Sequence, residues 1–364
     1  MAHLIFGDRF LSLRQPAWHR LGTVVQEPMS AYRALQLIGD YNVRTEDIIT
    51  VSGQQLPEHV AILRDPTVDD TQTRVFGVVG RDYQLITPAD LSILWDEHTG
   101  MAVETIGCLK KGAVTFISSF LPANPGSLTP EQTLEAAGFG TEVSNKAASS
   151  MGSYYVRGDE MKYYLMALNP MDGLGAIELR VTPVRVVCAN TVAASATYAT
   201  QTYKLRHTKN AKEQLGYWMR SIVERAYLSA NKLQEAFSAM ADRMVSPDEA
   251  QQVIETVYAF PSEPAHNAPD AVMEKRQEVW EAQVASLEKQ RELVIRLFDG
   301  EGTGMDSVAA FGTGWGLLQA VTEAEDYRRA RGSSPTMIAE SSLVGSRAKR
   351  KEKAFDTILE LVTA

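Results

Sequence analysis

The chain has 364 residues, 45% of them hydrophobic, and a formal net charge of −9 at pH 7. This length and apolar content can bury a substantial core, which argues against a disordered protein. The acidic total excludes a protein coated with basic surface, so nucleic-acid binding would require a local concentration of Lys and Arg. With two cysteines and no apolar stretch of about 20 residues, neither a disulfide framework nor a membrane span is expected. These features predict a cytoplasmic protein.

The first part of the chain predicts strands interleaved with two short helices. Ser30 is a good N-cap for a helix that ends at Ile38, and Thr87 before Pro88 is a good start for a helix that reaches His98. Strand-like apolar runs accompany these helices, at residues 47–52, 59–64 and 73–79.

A β-hairpin is predicted next. The apolar runs 102–109 and 113–121 are joined by Lys110, Lys111 and Gly112, with the glycine at a position where a turn needs positive φ. The hairpin tip therefore carries two lysines.

The middle of the chain changes from strands to helices. Residues 122–151 are rich in Gly, Pro, Ser and Thr and predict a long excursion between strands. Strands are predicted at 161–168, 176–181 and 184–188, with a break at Pro183. Apolar residues then recur at helical spacing as far as Met244.

Helices fill the rest of the chain. Ser246 and Pro247 form a strong helix start, and residues 261–269 are the best candidate for a linker. Further helices are predicted at residues 270–298, 311–329 and 348–362.

These elements predict an α+β fold, with an antiparallel sheet and hairpin packed on helices and a helical C-terminal region. The predicted organisation is a mixed N-terminal segment (residues 1–65), an α+β core with a basic strand and helix (66–260) and a helical C-terminal region (270–364).

No recognisable catalytic set is present, and the sequence predicts no cofactor. The six histidines are not spaced as helical metal ligands. Cys188 with His207 would form a thiol and base, but a buried structural cysteine is the more common role for such a residue. Acidic pairs such as Glu323 with Asp326 leave a metal-dependent nuclease open as an alternative.

The segment from Arg180 to Lys232 has a charge of +7, whereas the remainder of the chain has −16. This contrast suits a groove that follows a phosphate backbone, and nearby aromatic rings offer faces on which unpaired bases stack. The alternative is a solvated helix face whose cations pair with acids elsewhere.

Several segments resemble a family of phage and plasmid proteins known as domain of unknown function 932. They are Pro16-Ala-Trp-His-Arg-Leu-Gly22, Val79-Gly-Arg-Asp-Tyr83, Asn169-Pro-Met-Asp-Gly173, Arg185-Val-Val-Cys-Ala-Asn-Thr191, Arg206-His-Thr208, Gly314-Trp-Gly316, Ala320-Val-Thr-Glu323 and Asp326-Tyr-Arg-Arg329. The order of strands, hairpin and basic helix also resembles the core of single-strand annealing recombinases.

This second resemblance implies an ATP-independent protein that assembles into rings or filaments and binds single-stranded DNA in the cytoplasm of an infected bacterium. The residues expected to hold the strand are Lys110, Lys111, Arg180, Arg185, Arg206, Lys209 and Lys212 for phosphates and Tyr203 for base stacking. The alternatives are a protein that binds a host factor through its acidic C-terminal helices, and the nuclease.

Overall fold

A computed structural model of the chain describes residues 5–14, 22–121, 154–185, 190–191, 203–265, 267, 269–327, 341 and 345–364. The strands are β1 (Ile5–Leu13), β2 (Thr23–Val25), β3 (Val43–Ile49), β4 (Gln55–Arg64), β5 (Arg74–Gly80), β6 (Thr105–Leu109), β7 (Val114–Leu121), β8 (Tyr154–Val156), β9 (Asp159–Pro170), β10 (Ile177–Arg185), β11 (Asn190–Thr191) and β12 (Tyr203–Leu205). The helices are α1 (Ala31–Ile38), α2 (Pro88–Thr99), α3 (Ala211–Asp242), α4 (Pro247–Val257), α5 (Asp270–Arg296), α6 (Gly314–Tyr327) and α7 (Ser346–Thr363). The predicted excursion at residues 122–151 lies outside the described residues.

The larger sheet follows the path β11–β10–β9–β7–β6–β1–β2, with β12 beside β10 and β8 beside β9. Neighbouring strands are antiparallel except β1 and β2, which are parallel. The predicted hairpin is present, with Leu109 opposite Val114. The fold is thus α+β with antiparallel pairing dominant, and β1 brings the N-terminal segment into the same sheet as the hairpin.

The smaller sheet, β3–β4–β5, packs against the turns of the larger one. The Tyr41 hydroxyl donates a hydrogen bond of 2.7 Å to the Gly112 carbonyl. A Cβ atom on Gly77 of β5 would lie 2.2 Å from the Asp172 carbonyl oxygen in the β9–β10 turn, so only glycine fits there. β5 therefore touches the β9–β10 turn backbone to backbone, and apolar side chains of both sheets, such as Ile62 and Cys108, share one cluster.

Local capping sets the starts of three helices, as the sequence predicts. The Ser30 side chain accepts a hydrogen bond from the backbone of the first turn of α1. Thr87 and Ser246 each form a complete capping box, followed by proline, at the starts of α2 and α4. A cap of this kind stabilises a helix by about 1 kcal/mol, because it satisfies backbone N–H groups that lack partners within the helix.

The long helix α3 packs on one face of the larger sheet. Its buried positions recur every three or four residues, at Leu215, Met219, Ile222, Ala226, Ala230, Leu233, Phe237 and Met240. They join one apolar cluster with residues of β9, β10, α2, α4, α6 and α7. Each fully buried large apolar side chain contributes about 1.5–3 kcal/mol, so this helix fixes the C-terminal helices to the sheet.

Ion pairs join α6 to α7 in the helical region. The Lys351 ammonium group lies 2.7 Å from Asp326 Oδ1, with both side chains almost fully buried. Glu325 accepts hydrogen bonds of 2.8 Å from the Tyr258 hydroxyl and from Arg350. Among the helices that the structure describes, none is long and apolar enough to cross a membrane.

The predicted strand break at Pro183 is wrong. β10 runs through this residue, which lies opposite Tyr163 of β9. On the other side, β12 pairs with β10 only as far as Leu179 and β11 begins opposite Val184, so no described strand pairs with Pro183 there. A proline lacks only the N–H group, and at a position without a second neighbour this costs little.

Candidate nucleic-acid interface

Three parts of the chain meet at one end of the larger sheet. Val114, at the start of β7, lies opposite Pro170 at the end of β9, and Ile177 of β10 lies opposite Leu205 of β12. The β6–β7 turn, the β9–β10 turn and the β12–α3 connection are therefore neighbours. With about 4.8 Å between adjacent strands, the hairpin tip and β12 are about 15–20 Å apart.

Five of the eight predicted binding residues lie at this end of the sheet. We call them the turn-end surface: Lys110, Lys111, Arg206, Lys209 and Lys212. Their side chains are exposed or half-exposed. The sheet thus brings together cations that are about 100 residues apart in the chain.

The hairpin tip has an uncommon backbone conformation. Lys110 and Lys111 have φ values of +51° and +58°, and Gly112 follows at +94°. Gly112 is required there, since a Cβ atom would lie 3.0 Å from the ring of Tyr41. Lysines with positive φ carry a strain of about 1 kcal/mol or more each, which the surrounding structure offsets. The Lys110 ammonium group lies 3.9 Å from Asp172 Oδ2, and both lysines are exposed.

His207 anchors the connection between β12 and α3. Its ring stacks on Tyr83 with 4.5 Å between ring centres. Its Nδ1 donates to the Gln84 carbonyl at 3.1 Å, and the Gln84 backbone N–H donates back to the His207 carbonyl. Burial lowers the pKa of His207, although the facing carbonyls and the Asp172 carboxylate oppose the shift. The ring is therefore neutral at pH 7 and positions the basic residues on either side of it.

The basic side chains around His207 differ in their partners. Lys212 donates its backbone N–H to Gln84 Oε1, and its ammonium group lies 2.6 Å from Asp90 of α2. Arg206 and Lys209 are exposed and form no ion pair with any residue that the structure describes. These two side chains are thus available to an external anion.

Arg180 lies away from the turn-end surface, in the middle of β10. Its guanidinium group is mostly buried, with Nη1 3.9 Å from Glu178 Oε2. Lys204 on β12 lies 3.0 Å from the same carboxylate. Burial lowers the pKa of Arg180, and the carboxylates of Glu178 and Glu352 oppose the shift. Acids within the fold thus surround this cation.

Arg185 lies at the opposite end of the same strand. In the register of the sheet Arg185 lies opposite Met161 of β9, whereas Ile177, at the other end of β10, lies opposite Leu205 of β12. β10 is nine residues long, which at about 3.3 Å per residue puts about 26 Å between its ends. The structure therefore separates Arg185 from the other predicted phosphate contacts.

Tyr203 is engaged within the fold. Its hydroxyl accepts a hydrogen bond of 2.7 Å from Arg225, and its ring lies 5.3 Å from the ring of Trp218. Tyr217 on α3 is 65% exposed, one turn before the exposed Arg220. Of these rings, Tyr217 is the more accessible to a stacked base.

Sequence reasoning missed the residues that hold the turn-end surface in place, which are His207, Tyr83, Gln84 and Asp172. A signal for three of them, Tyr83, Asp172 and His207, was present in segments that carry the family resemblance. These segments, Val79-Gly-Arg-Asp-Tyr83, Asn169-Pro-Met-Asp-Gly173 and Arg206-His-Thr208, all reach this end of the sheet.

Other candidate chemistry is not assembled in the described part of the chain. There, no three His, Cys, Asp or Glu side chains are placed to hold a metal ion. Glu323 accepts a hydrogen bond from the Thr303 backbone, and Asp326 pairs with Lys351. Burial raises the pKa of the Cys108 thiol to about 11. Cys188 lies outside the described residues.

Comparison with known proteins gives a single kind of match. Residues 75–356 match a family model described as a domain of unknown function (DUF932). No curated protein and no solved structure matches the chain. The matched range begins in β5 and ends in α7, so it includes the whole turn-end surface.

Proposed function

This chain belongs to the DUF932 family, and we propose that it is a phage-encoded single-stranded-DNA-binding protein of the ATP-independent strand-annealing type. It acts in the cytoplasm of an infected bacterial cell, without a cofactor. The DNA backbone lies across the turn-end surface.

The observation that carries this proposal is the convergence of five cations, from the hairpin tip and the β12–α3 connection, at one end of the sheet. Three of them, Lys111, Arg206 and Lys209, form no ion pair with other residues in the described ranges. In a chain with a net charge of −9, such a surface attracts a polyanion while the rest of the molecule repels it.

The side chains of this surface are suited to binding the DNA backbone and not to recognising a base sequence. Lys and Arg side chains on exposed turns contact phosphates without reading base edges. A span of about 15–20 Å accommodates a few successive nucleotides. Tyr217 and Arg220 extend the path along α3 and offer a ring on which an unpaired base stacks.

The architecture supports the annealing assignment. An antiparallel sheet with a basic hairpin tip and a long helix across one face resembles the core of annealing recombinases in its order of elements. A protein of this type presents one strand with its bases accessible and works as a homo-oligomeric ring or filament. No sequence preference and no requirement for ATP are expected.

The test is a fluorescence-anisotropy titration of labelled single- and double-stranded oligonucleotides at two salt concentrations. Five phosphate contacts would give a single-strand salt slope of about −3.5, so affinity would fall about 100-fold between about 50 and about 200 mM salt. Single strands should bind more tightly than duplexes.

Matched charge reversals assign the binding to the surface. Lys209→Glu should weaken binding and reduce the salt slope by about 0.7, whereas Lys289→Glu on helix α5, which contributes no residue to the turn-end surface, should change neither. Binding that is insensitive to salt, or equal losses in the two variants, would refute the proposal.

A further inference from the structure

A groove of about 440 Å³ lies between the first half of α5 and the extended segment that precedes it. Two hydrogen bonds hold that segment against the helix. The Trp280 indole N–H donates to the Pro261 carbonyl at 2.9 Å, and Arg276 donates to the Asn267 side-chain oxygen at 2.9 Å. The groove is therefore a built feature, with one wall of proline-containing chain and one wall of helix.

The helical wall combines apolar and basic side chains. Val272 and Val279, two turns apart, are 45% and 51% exposed. Lys275 and Arg276 lie between them and are the only charged residues among the described residues that line the groove. Lys275 forms no ion pair with a described residue. The helical wall thus offers a ligand both apolar contact and positive charge.

Charge is segregated around α5. At about 100° per residue, the groove residues fall on one face of the helix, and the acidic residues fall on the opposite face. Those acids are Asp270, Glu274, Glu278, Glu281, Glu288 and Glu292. The groove is thus a basic strip on a helix that is otherwise mainly acidic.

We propose that this groove binds an acidic peptide segment of a partner protein. An apolar side chain of the peptide packs between Val272 and Val279, and its carboxylates pair with Lys275 and Arg276. A nucleic acid fits less well, because the groove offers only two cations for phosphates and the opposite face of the helix is acidic.

This proposal does not depend on DNA binding at the turn-end surface. The probe is a panel of fluorescein-labelled synthetic peptides in which one Leu, Phe or Trp is flanked on both sides by Glu. We expect saturable binding, which is lost when Lys replaces Glu and weakened when Gly replaces the apolar residue.

Variants locate the peptide on the protein. The double change Lys275→Glu with Arg276→Glu should weaken peptide binding more than tenfold, which corresponds to about 1.4 kcal/mol, and should leave single-stranded-DNA affinity unchanged. Lys289→Glu, on the same helix but outside the groove, is the matched control. Thermal unfolding of each variant checks that the fold is intact.

Three results would overturn the proposal. They are no binding by any peptide of the panel, equal binding by the double variant and the control, or displacement of a bound peptide by oligo(dT) at this groove. The last would assign the groove to nucleic acid instead.

Discussion

Lys110 and Lys111 have a backbone conformation that is strained for lysine. Both have positive φ, where glycine is unstrained and other residues are not. A hairpin tip selected for stability alone would have glycine at one of these positions. The presence of lysine at both positions is explained if their charges contact a ligand.

Lys111→Gly should separate stability from binding. Glycine relieves the backbone strain but gives the unfolded chain more freedom, and the first effect is at least as large as the second. The free energy of unfolding should therefore not fall and should rise by up to about 1 kcal/mol. Affinity for single-stranded DNA should fall several-fold. Urea unfolding and anisotropy measure the two effects, and Lys111→Arg, which keeps the charge, should keep the affinity. A variant that loses stability but binds normally would contradict this account.

Glu104 is a second residue whose environment opposes its charge. Burial raises its pKa to about 7, although Arg14 and Lys162 partly oppose the shift. The pKa of Glu104 in the folded state is above its unfolded value of 4.5, so the protonated carboxyl makes its full contribution to stability below pH 4.5. That contribution is lost as the pH rises through 7.

Glu104→Gln should therefore stabilise the protein only at higher pH. At pH 8 the gain should be on the order of 2–3 kcal/mol, and it should vanish near pH 4.5. Thermal unfolding of both proteins across this range gives the difference directly. A constant difference at every pH would show that the carboxylate is not the cause.

At the scale of elements, the parts predicted from the sequence were those set by neighbours in the chain. Ser30, Thr87 and Ser246 act on backbone groups within three positions, so the starts of their helices could be located. Strand limits depend on distant partners. β3 begins at Val43, four residues before its predicted start, because Val43 pairs with Arg64.

The placement of the candidate residues could be predicted from the sequence only in part. The basic character of the 206–212 stretch and of the hairpin tip is visible in the sequence. The separation of Arg180 and Arg185 from these residues is not, because it depends on which end of β10 faces the turns. The role of His207 depends on its stacking with Tyr83, which no spacing in the chain reveals.

The junction of α6 and α7 gives a prediction at this scale. Lys351→Met removes the cation beside the buried Asp326 carboxylate and should cost about 3–5 kcal/mol in urea unfolding. The double change Lys351→Met with Asp326→Leu should recover most of this loss, because it buries no charge. If the double variant is as unstable as the single one, packing and not charge holds the junction.

At the scale of the whole molecule, the acidic surface limits where a nucleic acid can lie. The segment from Arg180 to Lys232 has a charge of +7 against −16 for the remainder. Part of that +7 is neutralised internally, by Glu178 and Asp90. Under the proposed function, a single chain therefore offers DNA a short contact, and tight binding of a long strand requires several chains side by side.

Mass photometry tests this requirement. With a long single-stranded oligonucleotide, particles should contain several chains, and their number should grow with the length of the strand. A duplex of the same length should recruit fewer chains. One chain per oligonucleotide at every length would remove the ring or filament from the proposal.

The contact between Gly77 and the Asp172 carbonyl has a consequence for how this architecture can be altered. Because main chain meets main chain, no smaller residue on the opposite side can make room for a side chain at position 77. A graft that exchanges the small sheet between relatives would keep the two sheets in register only if it carries a glycine at that position. The contact between β5 and the β9–β10 turn thus requires a glycine at position 77.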